Sequence, residues 1–291
     1  MQRSLLRSLG IALFLSIALA PIKSNAIDSI VVFNEINYHP AENNHLLEFI
    51  EIYNQNSVNV DLTGWKLTGG VDYSFSKNTI IEGGSYMVIA LDPETIKEVS
   101  GLAQVLGPYE GRLDNAGETI RLRNNNGRIM DQITYNDKDP WPKSTDGKGS
   151  SLIRIDPAGD GDPNMPSQWR PSIKKGGNPG TSDSMTFRGE GPLDLLAYAI
   201  SETDKISALI NEDGNPIINV RQRLGADDAL IELEKSINGI TWIPLTEGNE
   251  LELIGRTHKS DGTESLKYII TSGNPVNPEP SVFFRAKVRL R

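Results

Sequence analysis

The chain has 291 residues, of which 37% are apolar and 23% charged, a composition that can bury a core and excludes a solvated disordered polymer. Its 29 basic and 38 acidic residues leave a net charge of −9, which argues against a basic nucleic-acid footprint over the chain as a whole. There is no cysteine, so disulfides, thiolate zinc sites, iron–sulfur clusters and a cysteine nucleophile are all excluded.

Residues 1–26 read as a secretory signal peptide. Arg3 and Arg7 make a basic start, residues 9–20 form an uncharged apolar run, and Ser24-Asn25-Ala26 offers a small-x-small cleavage site. The run is shorter than the roughly 20 residues that span a bilayer, so no membrane span is expected after cleavage. Cleavage would remove Arg3, Arg7 and Lys23 and no acid, taking the net charge from −9 to −12. An acidic exported chain without cysteine points to a bacterial periplasm, cell surface or surrounding medium.

Strand signals dominate the rest of the chain. β-Branched or alternating runs lie at 29–35, 45–53, 65–68, 73–75, 86–90, 119–123, 128–135 and 151–155. Asn126-Gly127 between two alternating runs predicts a two-residue type I′ hairpin. Residues 93–100 look helical, with Asp92 as the cap. From 156 to 183 the chain turns rich in Gly, Pro and Asp, and Trp169 is expected to pack back on the first block. Residues 184–192 read as a linker. The second block opens with a short amphipathic helix at 193–200, followed by strands at 217–224, 229–236, 242–244, 250–256, 266–271 and 283–290. The last run puts Phe283, Arg285, Lys287 and Arg289 on one face and Phe284, Ala286, Val288 and Leu290 on the other, as a strand lying on a core should. The expected fold is all-β: an antiparallel sandwich over 27–183 and a smaller one over 193–291.

Several stretches in order resemble the lamin tail domain, a family of immunoglobulin-like sandwiches found in nuclear lamins and in exported bacterial proteins. VFNEINYHP at 32–40 resembles its opening strand and contains Glu35. LEFIEIYNQNSVNVDLTGW at 47–65 resembles its most specific motif and carries Glu48, Glu51, Asn54, Asp61, Gly64 and Trp65. The hairpin around Gly117, the Trp141-Pro142 pair and the stretch through Arg154 resemble its closing segments, giving coverage of about 28–182. Read physically, Trp65 is a core anchor after a tight Thr63-Gly64 turn, and Asn54 and Asp61 can bond turn backbone. Without a disulfide, apolar packing alone is expected to hold the sheets together. The second block is similar, more loosely, to C-terminal sandwiches on exported proteins of planctomycete- and verrucomicrobium-like bacteria. That resemblance implies an exterior location and no chemistry.

Catalytic constellations are sparse. The three histidines are His39, His45 and His258. No G-x-S-x-G elbow exists, and Gly149-Ser150-Ser151 lacks the closing glycine. Glu48 and Glu51 have an odd separation, which puts them on opposite faces of one strand. Glu35 could face Glu51 across strands, although solvated or arginine-paired strand acids are the expectation. Asp156, Asp160, Asp162 and Asn164 share one Gly-containing loop with the oxygen donors that Ca²⁺ takes. However, Pro157 and Pro163 break the EF-hand pattern and no Glu stands at its twelfth position, so turn capping competes with calcium. His39, His45 and Glu42 are a weaker transition-metal set. Arg121, Arg123 and Arg128 cluster at the Asn-Gly hairpin, and the resemblance to eukaryotic tail domains raises contact with DNA, but export and acidity oppose it.

The sequence supports two functional readings. The first is a secreted, non-enzymatic protein that adheres or docks through its first block to an exported protein or a surface polymer. The second is an accessory protein of an extracellular hydrolase system. No cofactor is expected beyond calcium in the acidic loop.

Overall fold

A computed structural model describes residues 29–200, 206–271 and 282–291, so the expected signal peptide at 1–26 lies outside the described residues. The first block carries strands β1 (Val31–Asn37), β2 (Phe49–Asn54), β3 (Val60–Asp61), β4 (Lys66–Thr68), β5 (Val71–Ser74), β6 (Ile80–Ile81), β7 (Tyr86–Ala90), β8 (Glu110–Gly111), β9 (Thr119–Arg123), β10 (Ile129–Thr134), β11 (Leu152–Arg154) and β12 (Trp169–Pro171). Helix α1 (Pro93–Ser100) starts where predicted, and Asp92 accepts a 3.0 Å bond from the Thr95 amide. Two five-stranded antiparallel sheets, β12-β11-β1-β2-β7 and β10-β9-β4-β5-β8, enclose one core. That core gathers Phe33, Ile36, Tyr38, Ile50, Ile52, Trp65, Tyr135, Trp141 and Trp169, all buried.

A β-bulge in β1 between Phe33 and Glu35 explains why seven successive residues are buried. Plain alternation would turn Phe33 and Glu35 to the same side. The bulge resets the phase, so Phe33 and Ile36 both face the core while Glu35 looks outward, under the segment that follows β12. The sheets are not held by apolar packing alone, contrary to the sequence-based expectation. Asp131 on β10 accepts the Phe33 amide of the opposite sheet at 2.8 Å and the Arg154 guanidinium of β11 at 3.0 Å. Both side chains are buried; the hydrogen bonds offset part of the desolvation that still pushes the Asp131 carboxyl above its ordinary range.

Other expectations are corrected. The run at 45–53 is not one strand: His45–Leu47 is a 3₁₀ turn and Glu48 precedes β2, so Glu48 and Glu51 do not share a strand. The Asn126-Gly127 turn is not type I′, because only Gly127 has a positive φ, of 78°. Asn124 reshapes it by accepting the Asn126 and Arg128 amides on its side chain.

The second block contains α2 (Pro192–Ala199), β13 (Ile206–Ile210), β14 (Pro216–Arg223), β15 (Ala229–Ser236), β16 (Ile243–Pro244), β17 (Leu251–His258), β18 (Thr263–Ile270) and β19 (Phe283–Leu290). Sheet β13-β14-β18-β17 faces sheet β16-β15-β19 across a small core of Ile218, Val220, Leu233, Leu245, Leu251 and Ile270. β13 has no counterpart among the predicted strands; all five of its residues are exposed, so it lacks the in–out alternation that marks a strand in sequence. The stretch before α2 is tied to the second block: Ser184 Oγ bonds Asp227, and the Met185 and Phe187 amides bond Gly225 and Asp228. Among the described residues, no helix is long and apolar enough to cross a membrane.

Candidate functional site

The motif residues first serve the fold. Asn54 is fully buried, and its amide donates to the carbonyls of Val58, Ile81 and Glu82 while its oxygen accepts the Asn56 amide. Asp61 accepts the backbone and hydroxyl of Thr63, which shapes the turn at Gly64 before Trp65. Gly117 adopts φ 111°, and a β-carbon there would stand 2.4 Å from the Tyr135 carbonyl oxygen, so no other residue fits the close approach. These positions are structural.

Glu35 and Glu51 overturn the expectation of solvated or arginine-paired acids. They are direct cross-strand partners on the outer face of β1 and β2, and neither has any exposed surface. Their lid is the segment 177–180. Glu35 accepts Ser151 Oγ at 2.5 Å and the Asn178 amide at 3.0 Å. Glu51 accepts the Asn34 side chain at 2.7 Å and the Gly180 amide at 2.5 Å. Burial raises both carboxyls, Glu51 to about 7, and the charge of Glu51 pushes Glu35 further upward. The pair works as a clasp for a backbone segment, with no opening to a substrate.

An open cleft lies where β1 runs out. The chain leaves β1 through Tyr38 and His39 and makes two 3₁₀ turns, at Ala41–Asn43 and His45–Leu47. Leu113 and its neighbours close the other side, and the cavity of about 410 Å³ is lined by His39, Asn43, His45, Glu48, Arg112 and Asp114, among others. His39 Nδ1 meets Asp146 Oδ1 at 2.6 Å, and its Nε2 meets Asn43 Oδ1 at 2.6 Å. Tyr38 and Thr145 bond at 2.9 Å beneath them, and the Gly147 amide donates to the His39 carbonyl, which fixes the 145–147 turn against the end of β1. Arg112 approaches His45 Nε2 at 3.2 Å. Glu48 is nearly buried and accepts the Tyr109 hydroxyl and the Leu113 amide, and burial holds its carboxyl above the usual range.

A histidine–carboxylate pair beside a cleft invites comparison with a hydrolase. In a nucleophilic triad the outer imidazole nitrogen would activate a hydroxyl or thiol. Here that nitrogen faces an amide oxygen, and no Ser, Thr or Lys is among the described residues that line the cleft. The arrangement offers a ligand hydrogen-bond donors and acceptors of both charges. Asn43, Arg112 and Asp146 carry no sequence signal of their own; Arg112 stands a few residues before Gly117 and Asp146 a few after Trp141-Pro142.

The acidic loop does not converge on a cation. Asp156 pairs with Arg291 at 3.2 Å, Asp162 caps Asn164, and Asn164 accepts the Thr134 amide at 2.9 Å. Asp160 is exposed and stands outside this set. Among the described residues, no three His, Asp or Glu side chains gather to hold a metal, which also separates His39, His45 and Glu42 from that role. Arg123 spends its guanidinium on Thr68 and on the Gly127 carbonyl of its own hairpin.

The two blocks meet through buried charge. Arg170 on β12 donates to both oxygens of Asp227, at 2.7 and 2.5 Å, and to Asp183 at 2.7 Å. Its remaining bonds go to the carbonyls of Pro171 and Asp183, and it is 1% exposed. Arg256 of the second block reaches the Pro166 carbonyl at 2.6 Å while pairing with buried Glu264. The sequence marks neither residue: Asp227 lies 57 residues from Arg170, and Glu264, eight residues from Arg256, meets it only through the pairing of β17 with β18.

Comparison with known proteins agrees with the fold of the first block. Residues 26–137 match the family described as Lamin Tail Domain, a span narrower than the sequence motifs suggest and ending before β11. No curated protein matches the sequence. Among solved structures, a complex of an exo-chitosanase from Amycolatopsis orientalis with PNP-beta-D-glucosamine shows 12% identity and a TM-score of 0.19, covering 84% of this chain and 23% of that one. The chain thus spans under a quarter of that protein's length, and at such a score the likeness carries no inference.

Proposed function

We propose that this chain, with its lamin tail domain at residues 26–137, is an exported, non-enzymatic binding protein that docks through the cleft at the end of β1. Its partner is an exported protein or a polymer of the cell surface. The observation that carries this reading is the engagement of His39: one nitrogen on Asp146, the other on Asn43, in a cleft whose described lining holds no hydroxyl or amine nucleophile. Arg112, His45, Asp114 and Asn115 then present a mixed-charge, hydrogen-bonding wall, which suits recognition more than chemistry. Export rests on the basic, apolar and small-residue order of residues 1–26.

The test is co-sedimentation of the protein beginning at Ile27 with insoluble envelope material from a producing cell, beside Arg112→Ala and His45→Ala. Retention of the unaltered protein that drops about tenfold in the variants, the effect of losing about 1.4 kcal/mol, supports the reading. Retention that ignores both substitutions, or none at all, overturns it.

A further inference from the structure

The second block has two described buried clusters; the one between its sheets holds six hydrophobic residues, and four of them (Val220, Leu233, Leu245 and Leu251) also line a cavity of about 430 Å³. Well-packed interiors leave few voids larger than a water molecule, whereas this volume lies in the range of small-molecule sites. The cavity lies between the two sheets and opens toward the first block. Leu266 and Tyr268 of β18 extend the apolar floor, and Ser167, Gln168 and Arg170 of the first block stand at the mouth.

The mouth is polar but neutral. Arg170, Arg223 and Arg291 are matched there by Asp227, Glu232 and Glu247. Arg170 is saturated by its aspartates, Arg291 bonds Asp156 and the Asp227 carbonyl, and Glu232 is held by Arg289. Among the residues that line the mouth, Ser167 Oγ is a buried hydroxyl whose polar neighbour is Glu247, with no other hydrogen-bond partner among the described residues. A hydroxyl has one donor and two acceptor lone pairs, so beside a single neighbour it keeps capacity that a ligand group could use.

We infer that this cavity is a binding site for a small neutral amphiphile, with an aliphatic or aromatic body against Val220, Leu233, Leu251 and Leu266 and a hydroxyl or amide end at Ser167 and Gln168. The mouth carries three arginines and three acids, so an ion of either sign would meet like charge as well as opposite charge, and its desolvation would be poorly compensated. This site is separate from the cleft on the first block, and either can stand without the other.

The experiment uses the protein beginning at Ile27 with the neutral fluorophore N-phenyl-1-naphthylamine, displaced by 1-decanol, decanoate or decylamine. Saturable fluorescence enhancement, displaced by decanol in preference to both charged chains, is expected. Thr246→Trp and Pro244→Trp place a large ring at exposed positions on the cavity rim and should each weaken probe binding about tenfold or more, with the melting temperature checked for both. Ser167→Ala should leave the probe unaffected and weaken decanol about fivefold, the worth of one ordinary hydrogen bond. No saturable binding, binding equal in both native-folded rim variants, or displacement by a charged chain as strong as by decanol overturns the inference.

Discussion

Glu51→Gln isolates the energetics of the buried acid clasp. Both glutamates lose all contact with water on folding, so their charged forms are disfavoured in the folded chain. The folded value for Glu51, about 7, lies above the ordinary 4.5. Protonation therefore favours the folded state: stability is fully present below 4.5 and falls as pH rises through about 7. At about 1.4 kcal/mol for each tenfold change in proton affinity, that displacement amounts to about 3 kcal/mol across the window. Glu35 adds to the loss with the same sign, because its carboxyl is also raised. The substituted amide stays neutral at every pH, retains an oxygen for the Gly180 amide, and removes the charge that pushes Glu35 upward. Urea unfolding at pH 5, 6, 7 and 8 reads the effect by tryptophan fluorescence, since Trp65, Trp141 and Trp169 all sit in the first core. The variant is expected to gain about 3 kcal/mol on the unaltered protein between pH 5 and pH 8. Parallel pH curves for the two proteins would refute the argument.

Arg170→Met leaves Asp183 and Asp227 facing each other in a buried site, and should cost about 3–5 kcal/mol; limited proteolysis should then cut between 184 and 191, where the unaltered protein resists. Asn54→Ala removes three donated bonds and one accepted bond at a position with no exposure and is expected to lower stability by about 2–4 kcal/mol, read by urea unfolding with an unchanged far-ultraviolet spectrum below the transition. Because Asp156 is engaged with Arg291, Asp162 with the Asn164 amide and Asn164 with the Thr134 amide, melting temperatures in EGTA and in millimolar CaCl₂ should coincide; a rise with calcium would reinstate the loop as a cation site.

The first sandwich is legible in the sequence because its residues repeat local rules. Alternation marks β9 and β10, Asp92 caps α1, and the Trp65 and Trp169 anchors are large apolar groups with nowhere else to go. The illegible features depend on distant pairing. Glu35 and Glu51 read as surface acids, since nothing near them in sequence reveals that residues 177–180 cover them. Asp131 and Arg154 look ordinary until β10 of one sheet and β11 of the other bring them together between the sheets. The cleft is half visible: His39 and His45 stand out as candidate metal ligands, while the partners that define their role, Asp146 and Arg112, lie 107 and 67 residues away. The acidic loop misleads for the opposite reason. Local spacing suggests a shared ion, but Asp156, Asp162 and Asn164 answer the chain's last arginine or a backbone amide instead.

The most direct test of the central claim, that the His39 cleft recognises without reacting, is a turnover assay on chromogenic ester, phosphodiester and glycoside substrates with the protein beginning at Ile27 and its His39→Ala variant. The account predicts that neither protein exceeds the uncatalysed rate. Turnover in the unaltered protein that disappears with His39→Ala would contradict it.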